Sequence, residues 1–278
     1  IKEFVKDKNF EGETVSSPYL RYVEKDGVWY EAVRGTSAFY KASTVLDSNN
    51  QELVIAYKKS DINNVAYFKE AEEIEGLTVS TNQNADVRCS NAAGAYNSSE
   101  TPVVVTTLPA GTYQLTVGLW GGKDTQNFKL NDGGKEPWTI PFTGSFQDVS
   151  KELVLEAETE ISIPKSDAAN GRCLDYVLVQ KTAEPVAVSA IKFATYVPTC
   201  NVVAPADVKV YTAKVNEAKS AVVLTEVPAG SVIAKGTPVL VGAEAGSYNF
   251  AASADEATTV ADNDLKAAAD DTKGDGAT

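Results

Sequence analysis

The 278-residue chain is acidic, with a formal net charge of −13, and contains no histidine. The charge argues against nucleic acid and anionic membranes as partners, because phosphate binding needs clustered Lys and Arg. The lack of histidine excludes Ser-His-Asp and Cys-His catalysis and His-containing zinc sites, and three cysteines cannot form a four-thiolate zinc site. No run of residues approaches the ~20 apolar positions of a membrane-spanning helix.

Alternating and β-branched runs recur along the chain and predict an all-β protein. Turn sequences such as Lys25-Asp26-Gly27 and Pro228-Ala229-Gly230 separate these runs. Only Asp255–Lys273 has the Ala, Leu and Lys content and the acidic start of a helix. The predicted strands are, in chain order, Tyr19–Val23, Leu53–Tyr57, Val103–Val105, Tyr113–Val117, Leu153–Leu155, Tyr176–Val179, Val208–Tyr211, Ala221–Leu224 and Pro238–Val241.

Two joints divide the predicted strands into three modules. The first joint lies at Asp61–Asn64, and the second at Lys181–Pro185, after a strand that has the character of a domain's last. We therefore predict a small β-grasp or Ig-like spacer at 1–64, a central β-sandwich at 65–182 and a C-terminal β module at 183–278.

The central module carries three motifs that are recognisable by their order. It opens with Tyr67–Glu72 (YFKEAE), continues with Leu108–Val117 (LPAGTYQLTV) and closes with Cys173–Val179 (CLDYVLV). This set resembles the carbohydrate-binding modules of the calcium-containing jelly-roll superfamily, families 6 and 35 in particular. The resemblance implies a jelly-roll β-sandwich that binds a polysaccharide or oligosaccharide without transforming it.

The same resemblance implies a structural Ca²⁺ between the first and last strands of the module. Its ligands would be Glu70, Glu72 and Asp175, since a hard cation prefers several oxygen ligands. Glu70 and Glu72 are two residues apart, and on a strand they would face the same side. The alternative is that these are solvated edge charges of an acidic protein.

Sugar binding needs flat aromatic faces together with Asn, Arg or Asp side chains that bond hydroxyl groups. Such residues cluster in loops at 88–97, 119–127 and 167–172, and after Pro137. The candidates are Arg88, Asn91, Tyr96, Trp120, Asn127, Asn170 and Trp138. The alternatives stay open: a Trp can be a core residue, and Arg88 or Asn170 can bond loop carbonyls.

The cysteines allow one disulfide and one odd thiol, which suits an oxidising compartment. Cys89 and Cys173 each adjoin a candidate loop, so we predict a bridge between them and leave Cys200 unpaired; two unlinked buried thiols are the alternative. The start at Ile1, without Met, is expected of a mature or trimmed product. We therefore expect a secreted or cell-surface protein, a monomer or part of a larger multimodular chain.

The last module resembles a C-terminal β module of secreted polysaccharide-degrading and surface proteins of gut and rumen Bacteroidetes. In that group further strands follow the segment Asn263–Leu265, so we expect this module to be truncated, which leaves room for a catalytic domain elsewhere in the parent. The leading hypothesis for this chain is non-catalytic carbohydrate binding. The alternatives are a structural or adhesive array of β-domains without a sugar site, and an accessory region of a glycoside hydrolase or polysaccharide lyase.

Overall fold

The fold is all-β, as the strand pattern of the sequence predicts. The computed structural model describes residues 15–16, 21–33, 40–46, 52–80, 94–121, 127–143, 146–166, 172–258, 260 and 262–267. In this part of the chain 56% of residues lie in strands, which pair in several antiparallel sheets, and no α-helix occurs. Every strand segment predicted from the sequence overlaps a strand. None of the described residues belongs to a helix long and apolar enough to cross a membrane.

The chain divides into two compact units. The first comprises residues 1–109 and 114–180, and the second comprises residues 110–113 and 181–278. Residues on both sides of the joint predicted at 61–64 thus fall in the same unit. The division into modules 1–64, 65–182 and 183–278 stays a prediction.

The first unit begins with a five-stranded sheet. Its strands are β1 (Val15–Ser16), β2 (Tyr22–Lys25), β3 (Val28–Val33), β4 (Tyr40–Leu46) and β5 (Glu52–Lys59). The strand order is β1-β5-β3-β2, and β4 also pairs with β5. The loop between β2 and β3 consists of Asp26 and Gly27, which have φ values of 53° and 77°. Such a loop is a type I′ turn, whose twist matches the paired strands and which the Asp-Gly sequence favours.

The remaining strands of the first unit form a region that is consistent with a β-sandwich, and we call residues 65–109 and 114–180 the sandwich. The strands are β6 (Val65–Glu70), β7 (Thr78–Ser80), β8 (Gly94–Tyr96), β9 (Val103–Leu108), β10 (Gly111–Gly121), β11 (Asn127–Leu130), β12 (Trp138–Pro141), β13 (Phe146–Leu155), β14 (Thr159–Ile163) and β15 (Arg172–Val188). The main sheet has the order β13-β10-β15-β8-β7, with β6 also on β15, and β9–β14 and β11–β12 are separate ladders. In β10, Leu115, Val117 and Leu119 are fully buried at every second position, and the intervening Thr116 and Gly118 are buried as well, as expected of a strand that is covered on both faces.

An aromatic cluster joins the first sheet to the sandwich. The ring of Tyr22 packs edge-on against Phe68 and Tyr176, at centroid distances of 5.4 and 5.5 Å. Trp29 packs in the same manner on Phe68, at 5.7 Å. Because each such pair is worth about 0.5–1.5 kcal/mol beyond the area that it buries, the β2–β3 hairpin is held against β6 and β15.

The second unit is built from residues 181–188 of β15 and seven further strands. These are β16 (Phe193–Tyr196), β17 (Val202–Val203), β18 (Lys209–Val215), β19 (Val222–Val227), β20 (Val232–Ile233), β21 (Val239–Gly242) and β22 (Gly246–Ala251). The main sheet has the order β16-β21-β18-β19, while β17 pairs with β20 and β22 pairs with β15. Its core includes the fully buried Val202, Ile233, Val241 and Phe250.

The helix predicted at 255–273 is wrong for residues 255–258, 260 and 262–267, the part of that segment that is described, where no helix forms. Thr258 and Asp264 donate their backbone N–H groups to the carbonyls of Val232 and Ala213, both at 2.8 Å. An N–H group committed to a neighbouring strand cannot bond the carbonyl four residues earlier, as a helix requires. Tertiary hydrogen bonds therefore override the helical composition of this segment.

A close approach of β10 and β15 requires glycine at position 118. A Cβ atom at Gly118 would overlap the ring of Tyr176 and would lie 3.1 Å from Phe146 Cζ. Tyr176 is 1% exposed, so its ring has little room to move aside. The absence of a side chain at Gly118 thus makes space for the aromatic cluster.

We expect Gly118→Ala to lower the thermal midpoint of the first unit by roughly 2–12 °C, because overpacking a core costs about 1–3 kcal/mol. Calorimetry of the intact chain measures this shift. The matched control is Gly246→Ala, another strand glycine, where the nearest atom to an added Cβ lies at 3.6 Å. A Gly118→Ala variant as stable as the wild type would contradict the packing argument.

Candidate functional site

Four of the predicted sugar-binding side chains lie outside the described residues. Arg88, Asn91 and Asn170 fall in segments that are not described, and Trp120 lies in β10 but its side chain is not among those described. Their roles stay predictions, and the site is built here from the remaining candidates.

Asn127 and Trp138 lie on the β11–β12 ladder but not on the same face of it. Asn127 pairs with Pro141 at one end, and Trp138 pairs with Leu130 at the other. Directly opposed residues share a face, and successive residues of a strand point to opposite faces. Leu130 is buried, as is Phe128, whereas Asn127 is exposed. Trp138 therefore lies at the margin of the buried face and Asn127 on the exposed one.

A charged pair that the sequence analysis missed flanks the half-buried Trp138. The Lys151 ammonium lies 5.9 Å from the centre of the indole ring and forms an ion pair with Asp132. Asp132 Oδ1 also accepts the backbone N–H of Gly134 at 3.1 Å, which holds the loop before Trp138. We call Trp138, Lys151 and Asp132 the Trp138 surface. No motif marks Lys151, because it reaches the ring from a different strand, β13.

Tyr96 lies in the main sheet, at the end of β8 and opposite Thr78. Its side chain is partly buried. The next residue, Asn97, is fully buried and donates to the carbonyls of Thr101 and Ile163, both at 2.9 Å. These bonds fix the turn after β8, so the backbone that carries the Tyr96 ring is held in place.

The predicted metal ligands lie at the junction of β6 and β15. β6 ends at Glu70, and Glu72 lies in a short 3-10 turn, Ala71–Glu73. The two glutamates are therefore not alternate residues of one strand, as the sequence analysis assumed. Glu70 opposes Tyr176 in the ladder, next to Asp175, and the side chains of Glu70 and Asp175 are fully buried.

A guanidinium group lies beside these buried carboxylates. Arg21, just before β2, is 3% exposed, and its Nε lies 3.6 Å from Asp175 Oδ2. Its Nη2 lies 3.8 Å from Asp148 Oδ1, and its backbone N–H donates to Glu70 Oε1. We call Arg21, Glu70, Asp148, Asp175 and Tyr176 the Arg21 cluster.

The Arg21 cluster does not fit a calcium ion held by Glu70, Glu72 and Asp175. Calcium takes about six to eight oxygen ligands at roughly 2.3–2.6 Å. A cation close enough to bind Asp175 would also lie close to the guanidinium and be repelled by it. In the part of the chain that the structure describes, no three Asp, Glu or Cys side chains are grouped to hold a metal ion.

The phenols of the same region are held in their protonated form. Burial raises the pKa of Tyr22 to about 12, and the nearby charge of Glu31 adds to this effect. Burial and the charge of Asp148 hold the pKa of Tyr176 well above its usual value. Tyr176 donates its hydroxyl proton to Asp148 Oδ1 at 2.8 Å. Both phenols therefore stay un-ionised near neutral pH, and their role is to stabilise the fold.

The second unit buries a carboxylate of its own, that of Glu184. Its oxygens accept hydrogen bonds from Lys181 Nζ (3.0 Å), from the Tyr196 hydroxyl (2.7 Å) and from both the N–H and the hydroxyl of Thr199. Burial alone would raise the pKa of Glu184, but these donors outweigh it and lower the pKa below 4.5. Glu184 thus stays ionised in the folded protein.

The structure describes one of the three cysteine side chains, that of Cys200. Cys200 is a buried free thiol, and burial, together with the charge of Glu184, raises its pKa to about 11. Cys89 and the side chain of Cys173 lie outside the described residues, so the bridge between them stays a prediction. A buried thiol with a raised pKa is a weak nucleophile, which gives Cys200 a packing role.

Comparison with known proteins finds no family model and no curated protein that matches this sequence. The resemblance to carbohydrate-binding modules therefore rests on the motifs of the chain itself.

Replacing Glu184 by Gln should make stability less dependent on acid pH. A carboxyl whose folded pKa is lowered stabilises the fold above its unfolded pKa, and this contribution is lost as the pH falls through the folded value. Wild type should therefore exceed Glu184→Gln in thermal midpoint at pH 7, and the gap should narrow as the pH falls below 4.5. Glu256→Gln, at an exposed glutamate, is the control and should show no such gap. A gap that stays constant down to pH 3 would contradict this assignment.

Thiol labelling distinguishes the three cysteines. We expect no alkylation of Cys200 in the native protein at pH 8, because its thiol is buried and its pKa is about 11. In denaturant without reductant, mass spectrometry should find one alkylated cysteine if Cys89 and Cys173 are bridged and three if they are not. Rapid native labelling of Cys200 would contradict its buried position.

Proposed function

We propose that this protein binds a polysaccharide or oligosaccharide through the sandwich of its first unit and does not transform it. The observation that carries the proposal is the Trp138 surface, where a half-buried indole lies beside the partly exposed Lys151 ammonium, which the buried Asp132 holds in place. Sugar sites combine an aromatic face, which packs on the C–H groups of a ring, with polar groups that bond its hydroxyls. A β-sandwich with such a surface is a suitable scaffold for this task.

The buried carboxylates support a non-catalytic role. Glycoside hydrolysis needs two carboxyl groups about 5–9.5 Å apart that reach the substrate, one of which must be protonated. Glu70 and Asp175 are fully buried beside Arg21, and the 5%-exposed Glu184 is saturated with donors. These three carboxylates are therefore withdrawn from a polymeric substrate.

The finer assignments belong to the same proposal. Trp120 and Tyr96 would supply further aromatic faces, and Arg88, Asn91, Asn127 and Asn170 would bond hydroxyl groups. We further propose that the protein is secreted or displayed at a cell surface and acts as a monomer or as part of a longer chain. The oxidising compartment implied by a Cys89–Cys173 bridge supports this location.

The second candidate is a structural or adhesive role without a sugar site. The feature that favours it is β19, at one edge of a sheet in the second unit, where Val222, Val223 and Leu224 are 61%, 52% and 42% exposed. Apolar residues exposed in sequence along a sheet edge are typical of surfaces that contact other proteins.

A glycan array with the intact chain, followed by calorimetric titration of the best ligand, tests the leading proposal. We expect Trp138→Ala to weaken binding by about fivefold or more, because an aromatic anchor is worth over about 1 kcal/mol. Trp120→Ala tests the second predicted aromatic in the same assay. The matched control is Phe193→Ala, which removes a 45%-exposed aromatic ring of the second unit and should leave binding unchanged.

Two outcomes would contradict the proposal. Binding to no glycan by the intact, folded chain would favour the structural or adhesive candidate. New reducing ends released from a bound oligosaccharide would show that the chain is an enzyme.

A further inference from the structure

Arg21 is a buried arginine at the point where three segments of the first unit meet. Its guanidinium lies between the rings of Phe146 and Tyr176, at 4.7 and 5.3 Å from their centres. Asp175 lies 3.6 Å from its Nε and Asp148 lies 3.8 Å from its Nη2. A planar guanidinium is suited to such a place, because it can stack on aromatic rings and face carboxylates at the same time.

The two buried carboxylates need polar or charged partners. Glu70 and Asp175 are fully buried, and an ionised carboxylate without a partner in such a place costs several kcal/mol. Arg21 serves both carboxylates with different groups, the guanidinium for Asp175 and the backbone N–H for Glu70. One residue from outside the sandwich thus compensates charges on its strands β6 and β15.

We propose that Arg21 is the built-in partner of Glu70 and Asp175, two of the three carboxylates that the resemblance assigns to calcium: its guanidinium is the counter-cation of Asp175, and its backbone N–H is the donor to Glu70. The first unit then needs no metal ion at this junction. It needs instead the segment that carries Arg21, which lies ahead of the sandwich in the chain. This role of Arg21 in the stability of the first unit is independent of whether the Trp138 surface binds a sugar.

The packing around Arg21 agrees with this role. The next residue, Tyr22, is 8% exposed and packs on Phe68 and Tyr176, which lie on the two strands that carry the carboxylates. The ion pairs of Arg21 and the aromatic contacts of Tyr22 therefore hold the same segment in place. A sandwich that began at Val65 would lose both at once.

The first experiment compares the thermal midpoint of the wild-type chain in EDTA with that in millimolar calcium. We expect the two values to agree within about 1 °C, since a ligand stabilises only a protein that binds it. Calcium titration by calorimetry should give no stoichiometric heat. A midpoint several degrees higher in calcium, lost again on adding EDTA, would overturn the proposal.

The second experiment removes the cation and then one of its partners. Arg21→Met keeps much of the side-chain volume and should lower the midpoint of the first unit by roughly 6 °C or more, because it leaves buried charge uncompensated. Arg21→Met/Asp175→Asn should recover at least half of that loss, because the double variant no longer buries a carboxylate charge that has lost its guanidinium. An Arg21→Met variant with the wild-type midpoint would overturn the proposal, as would a double variant less stable than the single one.

Two further variants complete the comparison. Lys165→Met breaks the exposed ion pair with Glu100, whose side chains are 47% and 84% exposed, and should shift the midpoint by no more than about 1 °C. If Arg21→Met yields no folded protein, Arg21→Lys takes its place, since it keeps the cation but not the planar fork. It should fold with a midpoint below that of the wild type, and a midpoint equal to that of the wild type would overturn the role of the guanidinium.

Discussion

The burial of two carboxylates at the junction of β6 and β15 is the constraint on which the first unit depends. An ionised carboxylate in the interior must be compensated, and here the compensation comes from Arg21, which precedes the sandwich in the chain. The position of the β2–β3 hairpin follows from this need. The hairpin begins at the residue after Arg21 and packs Tyr22 and Trp29 against the strands that carry the charges.

Tyr176 connects this charge cluster to the packing of the main sheet. Its ring stacks on the Arg21 guanidinium and packs against Tyr22, and its hydroxyl bonds Asp148. The ring of Tyr176 also packs against Gly118 of β10, where no side chain would fit. The buried Tyr176 therefore contacts the guanidinium as well as β10 and β13. The electrostatic contacts and the packing thus favour the same arrangement of these strands.

The sequence predicts those parts of the fold that depend on local chemistry. Asp26-Gly27 specifies a tight hairpin, and the alternating run around Leu115 and Val117 specifies a strand. Prediction from the sequence fails where a contact with a residue distant in the chain determines the structure. No local motif predicts that Arg21 pairs with Asp175, and no residue near Trp138 in the sequence indicates its contact with Lys151. The helical composition after Asp255 predicts the wrong structure because the N–H groups of Thr258 and Asp264 bond strands that are distant in the chain.

The two units solve the problem of a buried carboxylate in different ways, and the difference bears on function. Asp175 faces a guanidinium, whereas Glu184 is surrounded by hydroxyl, amide and ammonium donors. Both solutions hold the charge in place and remove it from contact with substrate. In an acidic chain without histidine, these internal carboxylates are thus committed to structure. The recognition that we propose then falls to groups that reach the surface, and a half-buried indole beside the partly exposed Lys151 is suited to that task.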